Sequence, residues 1–188
     1  MKAAIAVLAD YHIQNIARRM VYDMSRTFEM EFFGSLLPSH VSLKQPFTFE
    51  SVERLEAWFD SLAARTDPFE IILDSIYYAE WDQVGFLGFN VVESPTLRTL
   101  HNQINGELAE VVEDPSAAHD GEEYRFHLTV ELGPIADVNP YKTYFDGLTT
   151  HEVELSFRAE QLALFYYADR PITSGSFILY RVMPLGIS

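Results

Sequence analysis

From Arg125 to Leu132 polar and apolar residues alternate without a break: Arg, Phe, His, Leu, Thr, Val, Glu, Leu. A period of two suits only an extended strand with one buried face. A strand over 124–132 is therefore expected to set Arg125, His127, Thr129 and Glu131 on one side. Phe126, Leu128, Val130 and Leu132 take the other. Residues 39–44 repeat the pattern in shorter form, with His40, Ser42 and Lys44 against Val41 and Leu43.

The two segments share one phrase: His, apolar, hydroxyl, apolar. At 48% apolar composition, chance yields about 0.2 copies of that phrase in a chain of this length. Two copies, spaced by roughly half the chain, point to a shared task. In a strand the His and the hydroxyl lie roughly 6–7 Å apart at the backbone. One phosphate group can touch both at that spacing.

Breaking or making a phosphodiester poses two proton problems. The attacking oxygen must lose a proton and the leaving oxygen must gain one. A neutral imidazole does the first and an imidazolium the second. Two hydroxyls can donate to the nonbridging oxygens, where charge accumulates. His40 and His127 are thus the candidate acid and base, and Ser42 and Thr129 the candidate phosphate ligands. Lys44 and Arg125, each two residues from a motif member, are candidates for adding positive potential near the substrate.

Bulk composition narrows the partner. The net charge is −15, acidic residues exceed basic ones in both halves, and Lys and Arg form no cluster. A long polyanion needs a basic track to neutralise its phosphates, so a small phosphorylated substrate or a single chain end is expected. Anionic membrane surfaces are disfavoured for the same reason. The chain has no cysteine, which removes disulfides and thiolate metal sites and suits a cytoplasmic location. No signal peptide is expected from the N-terminal run, and no zinc-type ligand spacing is recognised. No cofactor or metal is called for, and a monomer is the expected state.

Along the chain, strands are expected over 3–8, 40–44, 69–79, 84–92, 124–132, 152–158, 161–167 and 176–183. Helices are expected over about 13–24, from the Ser51 cap, from Ser94-Pro95, and over 141–148. Pro46 is expected to close the second strand. Residues 80–83 read as a hairpin turn, and 113–123 as an acidic loop holding His119. The class is α+β, mostly antiparallel, with helices on the outer faces.

The phrases "SHVSLKQPF" (39–47) and "YRFHLTVEL" (124–132) resemble the two signature strands of the 2H phosphoesterase superfamily. That superfamily includes 2′-5′ RNA ligase-like proteins and cyclic phosphodiesterases. The ending "FILYRVMPLG" (177–186) is similar to the final strand of such proteins. The resemblance implies one bilobed domain over 1–188, with two pseudo-symmetric sheets facing a central cleft. It implies catalysis by His40 and His127, with Ser42 and Thr129 on the phosphate. It also implies metal-independent action on 2′,3′-cyclic or 1″,2″-cyclic phosphates, or on RNA ends.

Aromatic residues suited to stacking a base are Phe47, Tyr124, Tyr166 and, preferred among them, Tyr167. Two rival readings keep the cleft: a phosphate- or nucleotide-binding module without catalysis, and a metal site built from the two histidines.

Overall fold

A computed structural model describes residues 1–28, 30, 37–117, 120–135, 139–167 and 177–187. Eight strands and four helices follow in the order β1 (Lys2–Leu8), α1 (Tyr11–Ser25), β2 (His40–Thr48), α2 (Val52–Ala64), β3 (Phe69–Trp81), β4 (Val84–Val91), α3 (Pro95–Val111), β5 (His127–Pro134), α4 (Pro140–Asp146), β6 (Glu152–Ala159), β7 (Gln161–Tyr167) and β8 (Phe177–Pro184). The architecture is α+β and every strand pairing is antiparallel.

Local signals fix the element ends. Asp10, Ser51, Ser94 and Asn139 cap the four helices, each accepting from a backbone N–H three residues on, which satisfies donors the helix leaves orphaned. The Asp10 cap starts α1 two residues earlier than the apolar spacing suggested. Asp82 and Gln83, both at positive φ, make the two-residue turn that joins β3 to β4 and match the twist of a hairpin.

The strands form one sheet in the order β6-β3-β4-β5-β2-β1-β7-β8. The pair of sheets implied by the resemblance is thus joined edge to edge. The join is slight: β2 and β5 share a single bridge, Val41 opposite Leu128. Val41, Leu43, Leu128 and Val130 are buried in the main core with residues from all four helices. α3 packs on β2 and α1 on β5. Full burial of such side chains contributes about 1.5–3 kcal/mol each. The helices cover that face, so alternation turns the motif side chains to the opposite face. A smaller apolar cluster of Ala6, Leu8, Ala163 and Phe165 lies there.

Both motif strands break their alternation just past the hydroxyl. Ala6 pairs with Ser42 but Ile5 pairs with Lys44, leaving one extra residue on β2. Gly88 pairs with Thr129 but Leu87 pairs with Glu131, leaving one extra residue on β5. Such a bulge bends the strand and re-aims the next side chain. Lys44 and Glu131, expected beside Ser42 and Thr129, are therefore turned to the helix side, where both are buried. A second register shift lets β2 run through Pro46 to Thr48, because a bulge needs no N–H at that place.

The polar groups this strands in the core are paired. The Lys44 ammonium is ion-paired with Asp120 and donates to Asn105 Oδ1 at 2.6 Å. Asn105 Nδ2 donates to His101 Nε2 at 3.1 Å, and His101 Nδ1 donates to the Leu43 carbonyl at the bulge, at 2.8 Å. His101 also stacks on Tyr124, with centroids 4.7 Å apart. Removing one partner of a buried pair leaves the other uncompensated. Lys44→Ala is therefore expected to lower the unfolding free energy by about 3 kcal/mol in urea denaturation.

Candidate active site

The Val41–Leu128 bridge sets the geometry. Continuing its antiparallel register by one residue each way puts His40 across from Thr129 and Ser42 across from His127. All four side chains share the face away from the helices, and all four are half-buried. Facing side chains across a ladder lie about 4.5–5.5 Å apart at Cβ, with diagonal ones about 7–8 Å apart. The two histidines occupy one diagonal and the two hydroxyls the other. The rings are near enough for the charge of His127 to depress the pKa of His40.

Each imidazole is held by the same local bond. His40 Nδ1 meets the Pro38 carbonyl at 2.8 Å, and His127 Nδ1 meets the Arg125 carbonyl at 3.1 Å. A carbonyl only accepts, so Nδ1 carries the hydrogen in both rings. Nε2 is left to take a proton when the ring is neutral or to give one when it is charged. An aromatic ring braces each. Phe165 lies 4.7 Å from His40, tilted at 40°, and Tyr77 meets His127 edge-on at 5.8 Å.

Burial lowers the pKa of both histidines from the ordinary 6.5, against the raising effect of the carbonyl bonds. The uncharged ring is the easier one to bury.

The hydroxyls differ in their surroundings. The Ser42 carbonyl accepts from the Tyr124 hydroxyl at 3.1 Å, and that oxygen accepts from Gln45 Nε2 at 3.0 Å. These bonds tie the segment before β5 to β2 beside the single bridge. Thr129 lies beside the Tyr77 hydroxyl, whose pKa is pushed up to about 12, chiefly by burial.

Of the other residues singled out in the sequence, Arg125 stands exposed just before β5. Tyr167 ends β7 on the same face as Ala163 and Phe165 and pairs with Lys2. Lys44 does not join the site, for the reason of the bulge. Phe47 and Tyr124 are core residues, and Tyr166 packs between Phe49 and Tyr180. His119 lies outside the described residues. Among the described residues no group of three His, Asp or Glu side chains is arranged to hold a metal, and no helix is long and apolar enough to cross a membrane. Tyr77 and Phe165 were not singled out in the sequence. Both sit in long apolar strands, where only knowledge of the face marks them as site residues.

Comparison with known proteins gives the family and the fold. The family model described as the 2′-5′ RNA ligase superfamily matches residues 28–171. The chain belongs to that superfamily, in keeping with its resemblance to the 2H phosphoesterases. No curated protein gives a significant match. Among solved structures, the chain is similar to TT0787 of Thermus thermophilus, with a TM-score of 0.62 at 15% identity, covering 100% of this chain and 99% of that one. It is similar to Escherichia coli LigT complexed with 3′-AMP, with a TM-score of 0.60 at 15% identity, covering 98% and 96%. It is also similar to Kluyveromyces marxianus Usb1 with uridine monophosphate, with a TM-score of 0.54 at 16% identity, covering 98% of each. At such identities the likeness is one of fold.

The lowered imidazole pKa values make stability depend on pH. The unfolded chain binds protons at His40 and His127 more readily than the folded one. Their contribution is complete above about pH 6.5 and is lost as pH falls through the folded values. Chemical unfolding of the wild type is expected to show a steeper fall in stability from pH 7 to 5 than that of the His40→Ala/His127→Ala double variant.

Proposed function

We propose that this protein is a metal-independent phosphoesterase that opens a cyclic phosphodiester, 2′,3′-cyclic or 1″,2″-cyclic, on a small nucleotide or an RNA end. The observation that carries the reading is the Val41–Leu128 bridge, whose flanking residues on one face are His40, Ser42, His127 and Thr129. It supplies two titratable rings and two hydroxyls on one face.

In the reaction one neutral imidazole takes a proton from the attacking water at Nε2. The water oxygen bonds to phosphorus. The bond from phosphorus to one ribose oxygen breaks, and the second, protonated imidazole gives that oxygen its proton. Ser42 and Thr129 donate to the nonbridging oxygens as their charge grows. Which histidine serves as base depends on the direction of the reaction and on which ribose oxygen leaves. Arg125, exposed at the mouth, attracts the anion. Tyr167 offers a ring on the same face for a base.

The complexes of LigT with 3′-AMP and of Usb1 with uridine monophosphate support a nucleotide as the substrate. The net charge of −15 favours a small one over long RNA, since a polyanion is repelled. RNA-end joining, as in 2′-5′ ligase-like proteins, is the alternative chemistry on the same groups.

The test is hydrolysis of 2′,3′-cyclic and 1″,2″-cyclic phosphates in excess chelator. Wild type is expected to turn over at an unchanged rate when the chelator is added. His40→Ala and His127→Ala should each cost at least about 100-fold in kcat/KM. Histidine variants as active as wild type would overturn the reading. Tight nucleotide binding without turnover would favour a binding module instead.

A further inference from the structure

Resting on that reading, we infer that Tyr124 is a positioning residue for Ser42: its hydroxyl, bonded to the Ser42 carbonyl, sets where that strand position stands, so that the serine hydroxyl meets the substrate phosphate.

Ser42 lies where two ladders lapse. On one side of β2, the single bridge to β5 is at Val41, one residue earlier. On the other side, the pairing with β1 breaks just past Ser42, at the bulge before Lys44. Side chains take over there. The Tyr124 hydroxyl donates to the Ser42 carbonyl at 3.1 Å, and His101 Nδ1 donates to the next carbonyl, that of Leu43, at 2.8 Å. The two rings stack on each other, with centroids 4.7 Å apart and planes at 14°. One stacked pair thus holds two successive carbonyls, the first of them that of the phosphate ligand itself.

Tyr124 is itself fixed at both ends. Arg98 on α3 donates to the Tyr124 carbonyl at 2.6 Å and to the Gly121 carbonyl at 3.0 Å, and it is ion-paired with Glu93. At the far end of the ring, Gln45 Nε2 donates to the phenol oxygen at 3.0 Å. The single phenol hydrogen goes to the Ser42 carbonyl, which can only accept. The ring is buried in the main core, and burial pushes the phenol pKa up to about 12, so the donor keeps its hydrogen through the neutral range. The Ser42 hydroxyl lies beside the same phenol. It can turn about its own C–O bond to meet an anion, whereas the carbonyl bond places the residue that carries it.

A phosphate ligand acts through its placement. A donor aimed at the nonbridging oxygens stabilises charge that grows in the transition state, and a shift of about 1 Å can cost about 100-fold in rate. Tyr124 precedes His127 by three residues, so its phenol links the chain that leads into one motif to the backbone of the other. Without that bond, the tie between Ser42 and the strand of His127 falls back on the neighbouring Val41–Leu128 bridge.

Tyr124→Phe keeps the ring that stacks on His101 and deletes only the hydroxyl. Steady-state kinetics on a 2′,3′-cyclic nucleotide would compare wild type, Tyr124→Phe, Ser42→Ala and the double variant. The single Tyr124→Phe change is expected to lower kcat/KM about tenfold, through kcat rather than KM. In the Ser42→Ala background the same change is expected to cost nothing further, since the group it places is gone. A merely structural role would cost the same in both backgrounds. A Tyr124→Phe variant equal to wild type, a loss confined to KM, or a loss that multiplies with that of Ser42→Ala overturns the inference. His40→Ala and His127→Ala are assayed alongside. If they match wild type, or if wild type does not turn over, the phosphoesterase reading fails and this inference fails with it. If they are inactive while the losses multiply, only the role of Tyr124 is lost.

Discussion

The bridge between Val41 and Leu128 is the constraint on which the rest depends. It is the point where four strands on one side meet four on the other. Both residues are buried beneath helices. Alternation then leaves no choice: if the bridging pair points into the core, the residues before and after it point out. His40, Ser42, His127 and Thr129 are those residues. The energy that organises the polar square is the burial of apolar side chains directly behind it. The Tyr124 hydroxyl bond to the Ser42 carbonyl reinforces a junction that the ladder alone makes at one point.

The two bulges show how a short motif ends. In an unbroken strand, Lys44 and Glu131 would stand next to the hydroxyls, one adding a cation to the site and the other a carboxylate. The extra residue on each strand turns both away. Glu131 would oppose a phosphate directly, so its removal from that face favours an anion there. Burying Lys44 is offset by Asp120, Asn105 and the His101 link back to the bulge carbonyl. What the bulges leave on that face is two hydroxyl dipoles and two titratable rings.

Much of this was legible in the sequence. The alternation revealed the strand from His127, its faces as far as Thr129 and the pairing of His with hydroxyl, because a period of two has one structural meaning; Glu131 was expected on the wrong face. The caps at Ser51 and Ser94 marked two of the helix starts. What could not be read is set by the register between distant strands. A bulge depends on the partner: nothing in Leu43-Lys44 or Val130-Glu131 announces that Ile5 or Leu87 faces two residues at once. For the same reason the joining of the sheets, and the arrival of Tyr77 and Phe165 beside the histidines, depend on contacts between residues far apart in sequence. His101 belongs to no motif in the sequence, and in the fold it is the cap of a carbonyl at a bulge.

The central claim is that the two imidazoles serve one anion, and a crystal structure with a bound nucleoside monophosphate tests it most directly. Nε2 of His40 and Nε2 of His127 should both lie within about 3.2 Å of oxygens on the same phosphate, with the Ser42 and Thr129 hydroxyls on the oxygens between them. A phosphate held by only one of the rings, or seated away from both, would contradict it.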